Sequence, residues 1–413
     1  MPRSSIVSRI AHETFAHSPS IMPSGPWWEN LESNFAQRPE GFELSPRDWI
    51  RVNATAATDL AFRTTGASLL GMTALPASLL PLPDGRFGLR ASETIEDLTL
   101  YYDLVEKDPK AMFAPPSGRI DVACDPPRSS HFTPTGGLCE EIKFETPYHP
   151  YNPNYRQRFQ KHGRNRTARA RHWRHGDEDR PTLIAVHGFM ADPYWINERF
   201  FALQTYYEMG CDVLLFTLPH HGRRQEPWSL YSGHGFFGCG LGAINEHMAQ
   251  AICELRALID WLEEERGISR VGITGISLGG WTAALLASVE PRLQFSIPNV
   301  PVVSPFDLIV EWQPTGLAIR LGLTLLDRSI KDGRRLLAST TPLTHRPAID
   351  KERLMIIGGV GDRIAPPKHS RLLWDHWDRC RIHWFPGNHM LHLDRGEYLE
   401  QMVRFMREIE FLD

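Results

Sequence analysis

The sequence predicts an α/β fold: a mostly parallel sheet with helices on both faces, a lid insertion and a long N-terminal extension. Three observations predict it. From Cys139 onward, short apolar runs alternate with longer runs of helical periodicity, the pattern of a parallel sheet buried between two helical layers. The run Val271-Gly272-Ile273-Thr274-Gly275-Ile276 passes into Ser277-Leu278-Gly279-Gly280 and then into an alanine-rich helical stretch from Trp281 to Val289. Two later apolar runs, Arg353–Val360 and Cys380–Phe385, lead into Gly361-Asp362 and Pro386-Gly387-Asn388-His389. Right-handed crossovers would put the C-terminal ends of all these strands on one edge, where ligands bind.

Residues 1–138 are rich in Pro, Ser and Thr, with candidate helices at 46–59 and 94–107. They read as an extension packing on a core formed by residues 139–413, with Trp27-Trp28 pinning it. The apolar segment Ala67–Pro83 contains Pro76, Pro81 and Pro83 and is shorter than the roughly 20 residues a bilayer requires. It reads as a packed or interfacial hairpin rather than an anchor. From Cys139, Ile142 and Phe144 alternate with Lys143 and Glu145, as in a half-exposed first strand. Arg166–His175 follows as a strand. The stretch Arg156–Arg174 holds eight Lys/Arg and reads as an edge strand with solvated arginines rather than a nucleic-acid or lipid patch.

Leu183–Val186 reads as a buried parallel strand. Trp195–Glu208 puts Ile196, Phe200, Leu203 and Tyr207 on one helical face and stops at Gly210. Asp212–Leu218 is the next strand, and Ala243–Arg266 is a long helix ended by Gly267. Phe295–Val303 is a strand. The region of about 304–353, with Trp312, Leu317, Ile319, Leu321, Leu323, Leu325 and Leu326, is an apolar insertion. Helices over Pro366–Asp378 and Arg395–Phe411 close the fold.

A chain of 413 residues suffices for one large domain with an extension, or for two domains. With 42% hydrophobic and 23% charged residues it has the composition of a soluble globular protein. A net charge of −4 gives no polyelectrolyte argument for nucleic acid. Cys124, Cys139, Cys211, Cys239, Cys253 and Cys380 lack metal-ligand or redox spacing and read as reduced thiols in a cytoplasmic protein. The N-terminus, Met1-Pro2-Arg3-Ser4-Ser5, lacks the apolar core of a secretory signal.

A neutral serine is a poor nucleophile. An imidazole must take its proton as the new C–O bond forms and return it to the leaving group, and a carboxylate must orient that imidazole. Ser277, between Gly275 and Gly279, is the candidate nucleophile, His389 the general base and acid, and Asp362 the orienting carboxylate. Asp375, Asp378 and Asp394 sit in or beside helices, His383 lies within a strand, and His392 follows the loop; these are weaker candidates. Asp362 could instead pair with Arg363. His220 and His221 have no third ligand at recognisable spacing, so no metal is expected. Neither a dinucleotide-binding glycine motif nor a P-loop is present, and no cofactor is expected.

Gly275-Ile276-Ser277-Leu278-Gly279, with Asp362 and then His389 downstream, resembles the nucleophile elbow and triad order of the α/β-hydrolase superfamily. The resemblance covers about residues 139–413 and implies that the apolar insertion at about 304–353 is a lid over a pocket. Leu218-Pro219-His220-His221-Gly222-Arg223 resembles the Pro-Gly-His-Gly loop of many members, with His220 in place of the first glycine. Gly272–Gly280 looks like the nucleophile region of the α/β-hydrolase domain-containing 18 subfamily, and the long extension is similar in kind. The resemblance implies an oxyanion hole built from the N–H of Leu278 and one from the His187-Gly188-Phe189 loop, that of Phe189 (or Met190). Gly188, Met190, His220 and Trp281 are then the candidate substrate-binding residues.

What this implies is a serine carboxylic-ester hydrolase, carboxylesterase or lipase-like, acting on a small-molecule or lipid ester through an acyl-enzyme. Acyl transfer, thioester hydrolysis and peptide cleavage use the same triad, and a non-catalytic binder on the same fold is the alternative from another class. Contact with a membrane surface and oligomeric state stay open.

Overall fold

The computed structural model describes residues 18–37, 42–79, 98–128, 132, 134, 136–176, 179–190, 194–325, 327–392 and 395–413. Among them, nine strands form one sheet: β1 (Ala123–Asp125), β2 (Leu138–Glu145), β3 (Thr167–Arg174), β4 (Thr182–Val186), β5 (Asp212–Thr217), β6 (Val271–Ile276), β7 (Leu293–Asn299), β8 (Met355–Gly359) and β9 (Arg381–Phe385). Their order is β1-β2-β3-β5-β4-β6-β7-β8-β9. The first four in that order pair antiparallel. From β5 across to β9 every pairing is parallel.

Strand alternation divides the core between the two faces. Ile184, Val186, Leu214, Phe216 and Ile273 pack on one side with the helices Leu241–Arg266 and Leu278–Leu286. Leu183, Ala185, Val213, Leu215 and Ile297 pack on the other with the helices Leu203–Glu208 and Arg395–Glu408. Both faces are therefore covered, which is why the central strands are largely apolar. Gly267 ends the long helix in the left-handed conformation at φ 69°.

Three expectations are corrected. The helix expected over 195–208 is two, Tyr194–Phe200 and Leu203–Glu208, because Ala202 breaks it at φ 51°; Ile196 and Trp195 are exposed. Strand β3 lies inside the sheet, not at its edge, and its arginines are not all solvated. Arg171 is buried between Glu141 at 2.9 Å and Glu198 at 2.8 Å, and Arg174 pairs with Glu140 at 3.0 Å. A guanidinium tolerates such burial only when carboxylates replace its water. The helix expected over 46–59 continues to Leu79, so Ala67 is helical rather than part of a hairpin; Leu80–Pro83 lie outside the described residues. Tertiary packing extends it: Gly66 abuts the Trp312 ring, and the Thr315 hydroxyl donates to the Ala67 carbonyl. The helix expected over 94–107 is present over 98–107, and residues 94–97 lie outside the described residues. No helix among the described residues is long and apolar enough to cross a membrane.

Candidate active site

Strand β6 ends at Ile276 and the next helix begins at Leu278, so Ser277 alone makes the turn. Its φ of 56° and ψ of −110° are unfavourable for any residue with a Cβ. Backbone hydrogen bonds hold it there: its N–H donates to Asn299 at 2.9 Å, and its carbonyl accepts from Trp281 at 2.9 Å and Val302 at 3.3 Å. The flanking glycines are a spatial requirement. A Cβ on Gly275 would lie 2.2 Å from the Gly279 oxygen, and one on Gly279 would lie 2.0 Å from the Val186 oxygen. Ser277 itself is half-buried at the N-terminus of a nine-residue helix, whose dipole favours negative charge.

Asp362 and His389 follow β8 and β9 on the same sheet edge. His389 Nδ1 lies 2.7 Å from Asp362 Oδ2. The other carboxylate oxygen accepts the N–H groups of Ile364 and Ala365, both at 2.8 Å. That fixes the aspartate before the histidine arrives, and Arg363 takes no part in it. Burial opposes charge on His389, but the Asp362 carboxylate outweighs it and raises the imidazole pKa. Among the described residues no hydrogen bond joins Ser277 Oγ to His389; such contacts commonly close only with substrate bound.

The loop after β4 abuts the elbow. A Cβ on Gly188 would sit 3.4 Å from both the Ile276 oxygen and Ser277 Cβ. His187 braces this loop: its Nε2 accepts the Leu218 N–H at 3.1 Å, leaving Nδ1–H to donate to the Gly188 carbonyl at 2.8 Å. The Phe189 ring stands edge-on to His221, Tyr231 and Phe237. Met190, half-buried, holds φ 59°.

Acetyl xylan esterase 1 from Thermoanaerobacterium sp. JW/SL YS485 is similar with a TM-score of 0.53 at 17% identity, over 76% of this chain and 94% of that one. The acetyl xylan esterase from Paenibacillus sp. R4 is similar with a TM-score of 0.52 at 15% identity, over 77% and 95%. The chain has the α/β-hydrolase fold. The family described as Alpha/beta hydrolase domain containing 18 matches residues 242–334, a stretch that includes the elbow. An uncharacterized protein of Mycobacterium tuberculosis is 30% identical over 217 residues, 51% of this chain and 50% of that protein. The chain thus spans about half the length of the curated relatives it matches.

Against the α/β-hydrolase pattern, His220 occupies the left-handed region at φ 62°, the conformation that a glycine adopts without strain. Neighbours hold it. Its N–H donates to Asn165 Oδ1 at 2.9 Å, and its Nε2 lies 3.2 Å from His247 Nε2. With no exposed surface, His220 belongs to a buried cluster with His162 and His247. Trp281 is likewise only 1% exposed, and its indole N–H donates to the Thr340 carbonyl at 2.7 Å. Both are buried, in contrast to Met190. Of the weaker acid candidates, Asp375 pairs with Arg371 and Asp378 with Arg346, while Asp394 lies outside the described residues. The His392 ring packs among Phe200, Phe385 and Tyr398.

One residue at the site had no signal in the sequence. Asp59, on the helix Pro46–Leu79, is fully buried and accepts the His389 N–H at 3.0 Å.

Proposed function

We propose that this chain is a serine hydrolase that cleaves a carboxylic ester through an acyl-enzyme. One observation carries the reading: Asp362 and His389 are buried and hydrogen-bonded on the sheet edge where the elbow presents Ser277. With Nδ1–H donated to Asp362, His389 Nε2 is left as the base. It accepts the Ser277 hydroxyl proton while Oγ bonds to the ester carbonyl carbon. The carbonyl oxygen becomes an oxyanion, stabilised by the N–H groups of Leu278 and Phe189. The intermediate then expels the alcohol, which leaves with the proton from His389. Water attacks the acyl-enzyme by the same route, releasing the acid and restoring Ser277.

The two acetyl xylan esterases, ester hydrolases by name, support an ester as the substrate class. In this reading residues 139–413 are the hydrolase domain, about 304–353 its lid, and 1–138 an extension packed on it. Gly188 and Met190 line the entry.

The test is labelling with a fluorophosphonate, beside hydrolysis of p-nitrophenyl esters of increasing chain length. Wild type should label and turn over. Ser277→Ala and His389→Ala should each lose about a thousandfold or more in rate. Labelling that survives Ser277→Ala would overturn the assignment.

A further inference from the structure

We propose that Asp59 is a positioning residue of this site: it clamps together the loops carrying Asp362 and His389 and adds a second buried carboxylate beside the imidazole. The inference rests on the triad reading above. Asp59 Oδ2 accepts the N–H groups of Arg363 at 2.9 Å and His389 at 3.0 Å, and Oδ1 accepts that of Met390 at 3.3 Å. One side chain thus bridges the residue after the acid to the base itself and the residue after it. The three amides replace the water that the carboxylate loses on burial.

The rest of the helix reinforces the clamp. Asn388 donates to the Thr55 carbonyl and to Thr58 Oγ1, the latter at 2.8 Å. Arg63 donates to the Arg363 carbonyl at 3.1 Å and to that of Glu311. Gly361 leaves no room for a side chain, since a Cβ there would lie 3.0 Å from Val52 Cγ1 and 2.7 Å from the Gly387 oxygen.

Charge gives Asp59 a role beyond packing. Among the described residues, no Lys or Arg side chain forms an ion pair with it. Its negative charge therefore acts on the buried imidazole without neutralisation, at reduced dielectric. Three titratable groups face His389 from the elements packed against it. They are Asp362 from the loop after β8, Asp59 from the N-terminal helix, and His369 from the helix Pro367–His376. Burial lowers the His369 pKa to about 3, so that group is neutral. Both carboxylates favour the imidazolium that forms as Ser277 attacks, with Asp362 the larger influence.

The experiment is the pH dependence of the second-order rate of fluorophosphonate labelling, up to pH 9 and down to the lowest pH at which tryptophan fluorescence shows each variant still folded. Wild type, Asp59→Asn, Thr58→Val and Ser277→Ala are compared. The acid limb reports the base in the free enzyme. In Asp59→Asn it should move about half a unit to one unit lower, with a plateau about tenfold slower. In Thr58→Val, which weakens an anchor but keeps the charge, the limb should stay where it is. An unmoved limb in Asp59→Asn, or an equal move in both variants, overturns the proposal. Labelling of Ser277→Ala would instead sink the triad reading itself. Should Asp59→Asn not fold, hydrogen exchange of the wild-type chain decides. Slow exchange at Arg363, His389 and Met390 supports the clamp, and fast exchange there refutes it.

Discussion

Acidification from pH 7.5 to 5.5 is expected to remove about 7 kcal/mol of stability, through imidazoles that the fold keeps neutral. Five of the histidines that are at most 2% exposed carry the effect, their pKa lowered by burial. His172, His247 and His369 fall to about 3, and His187 and His345 to about 4. In the unfolded chain each titrates near 6.5. A base depressed in the fold stays neutral there while the unfolded chain gains protons. Its stability is whole above pH 6.5 and falls as pH drops toward the folded value. At pH 5.5 the linkage is worth about 1.4 kcal/mol per imidazole, hence about 7 kcal/mol for five. That rivals the roughly 5–15 kcal/mol total of an ordinary fold. His220 and His221, also lowered by burial, push the same way. Burial raises the carboxyls of Asp212, Glu246, Glu311 and Asp362, which take up protons in the fold and offset part of the loss. His389, raised in the fold, contributes stability that is present below pH 6.5 and lost as pH rises. Urea unfolding followed by tryptophan fluorescence at pH 7.5, 6.5 and 5.5 is the assay. A midpoint that holds steady down to pH 5.5 would refute the reasoning, because the imidazoles would then be protonated within the fold.

The fully buried Arg224 places its guanidinium against Glu254 at 2.6 and 2.7 Å and against the Thr217 and Asn165 carbonyls. Arg224→Met should cost about 3–5 kcal/mol by stranding the Glu254 charge, and adding Glu254→Leu should recover most of it. Paired denaturant curves test this, and a double variant no more stable than the single one counts against it. Gly279→Ala would set a methyl 2.0 Å from the Val186 oxygen, so the elbow could not close. Fluorophosphonate labelling should then be lost, and labelling at the wild-type rate would show that the turn has room to spare.

The parallel half of the sheet was legible because strands β4, β5, β6 and β8 are buried along their full lengths and read as largely apolar runs. The meeting of Asp362 and His389 was legible because each sits just past a strand on the edge where Ser277 turns. Strand β3 was misread because local composition shows arginines but not the glutamates, distant in sequence, that meet them. Ala202 broke a helix that periodicity carried through, since side-chain spacing holds no record of one positive φ. The Ala67 segment was misread because its prolines outweighed the packing of Gly66 and Ala67 on residues near 312–315. Asp59 left no trace: it lies 330 residues from the amide it binds, on a helix whose sequence carries no motif.

That separation has a consequence for the making of the protein. At about 5–20 residues per second, Asp59 emerges from the ribosome roughly 15–65 seconds before the His389 amide that it accepts. Ser277 emerges only within that interval, and even then His389 and the strand that precedes it do not yet exist. On the proposed triad, a nascent or prematurely terminated copy is therefore silent toward esters. Competence would arrive late, when the loop carrying His389 docks onto the helix Pro46–Leu79.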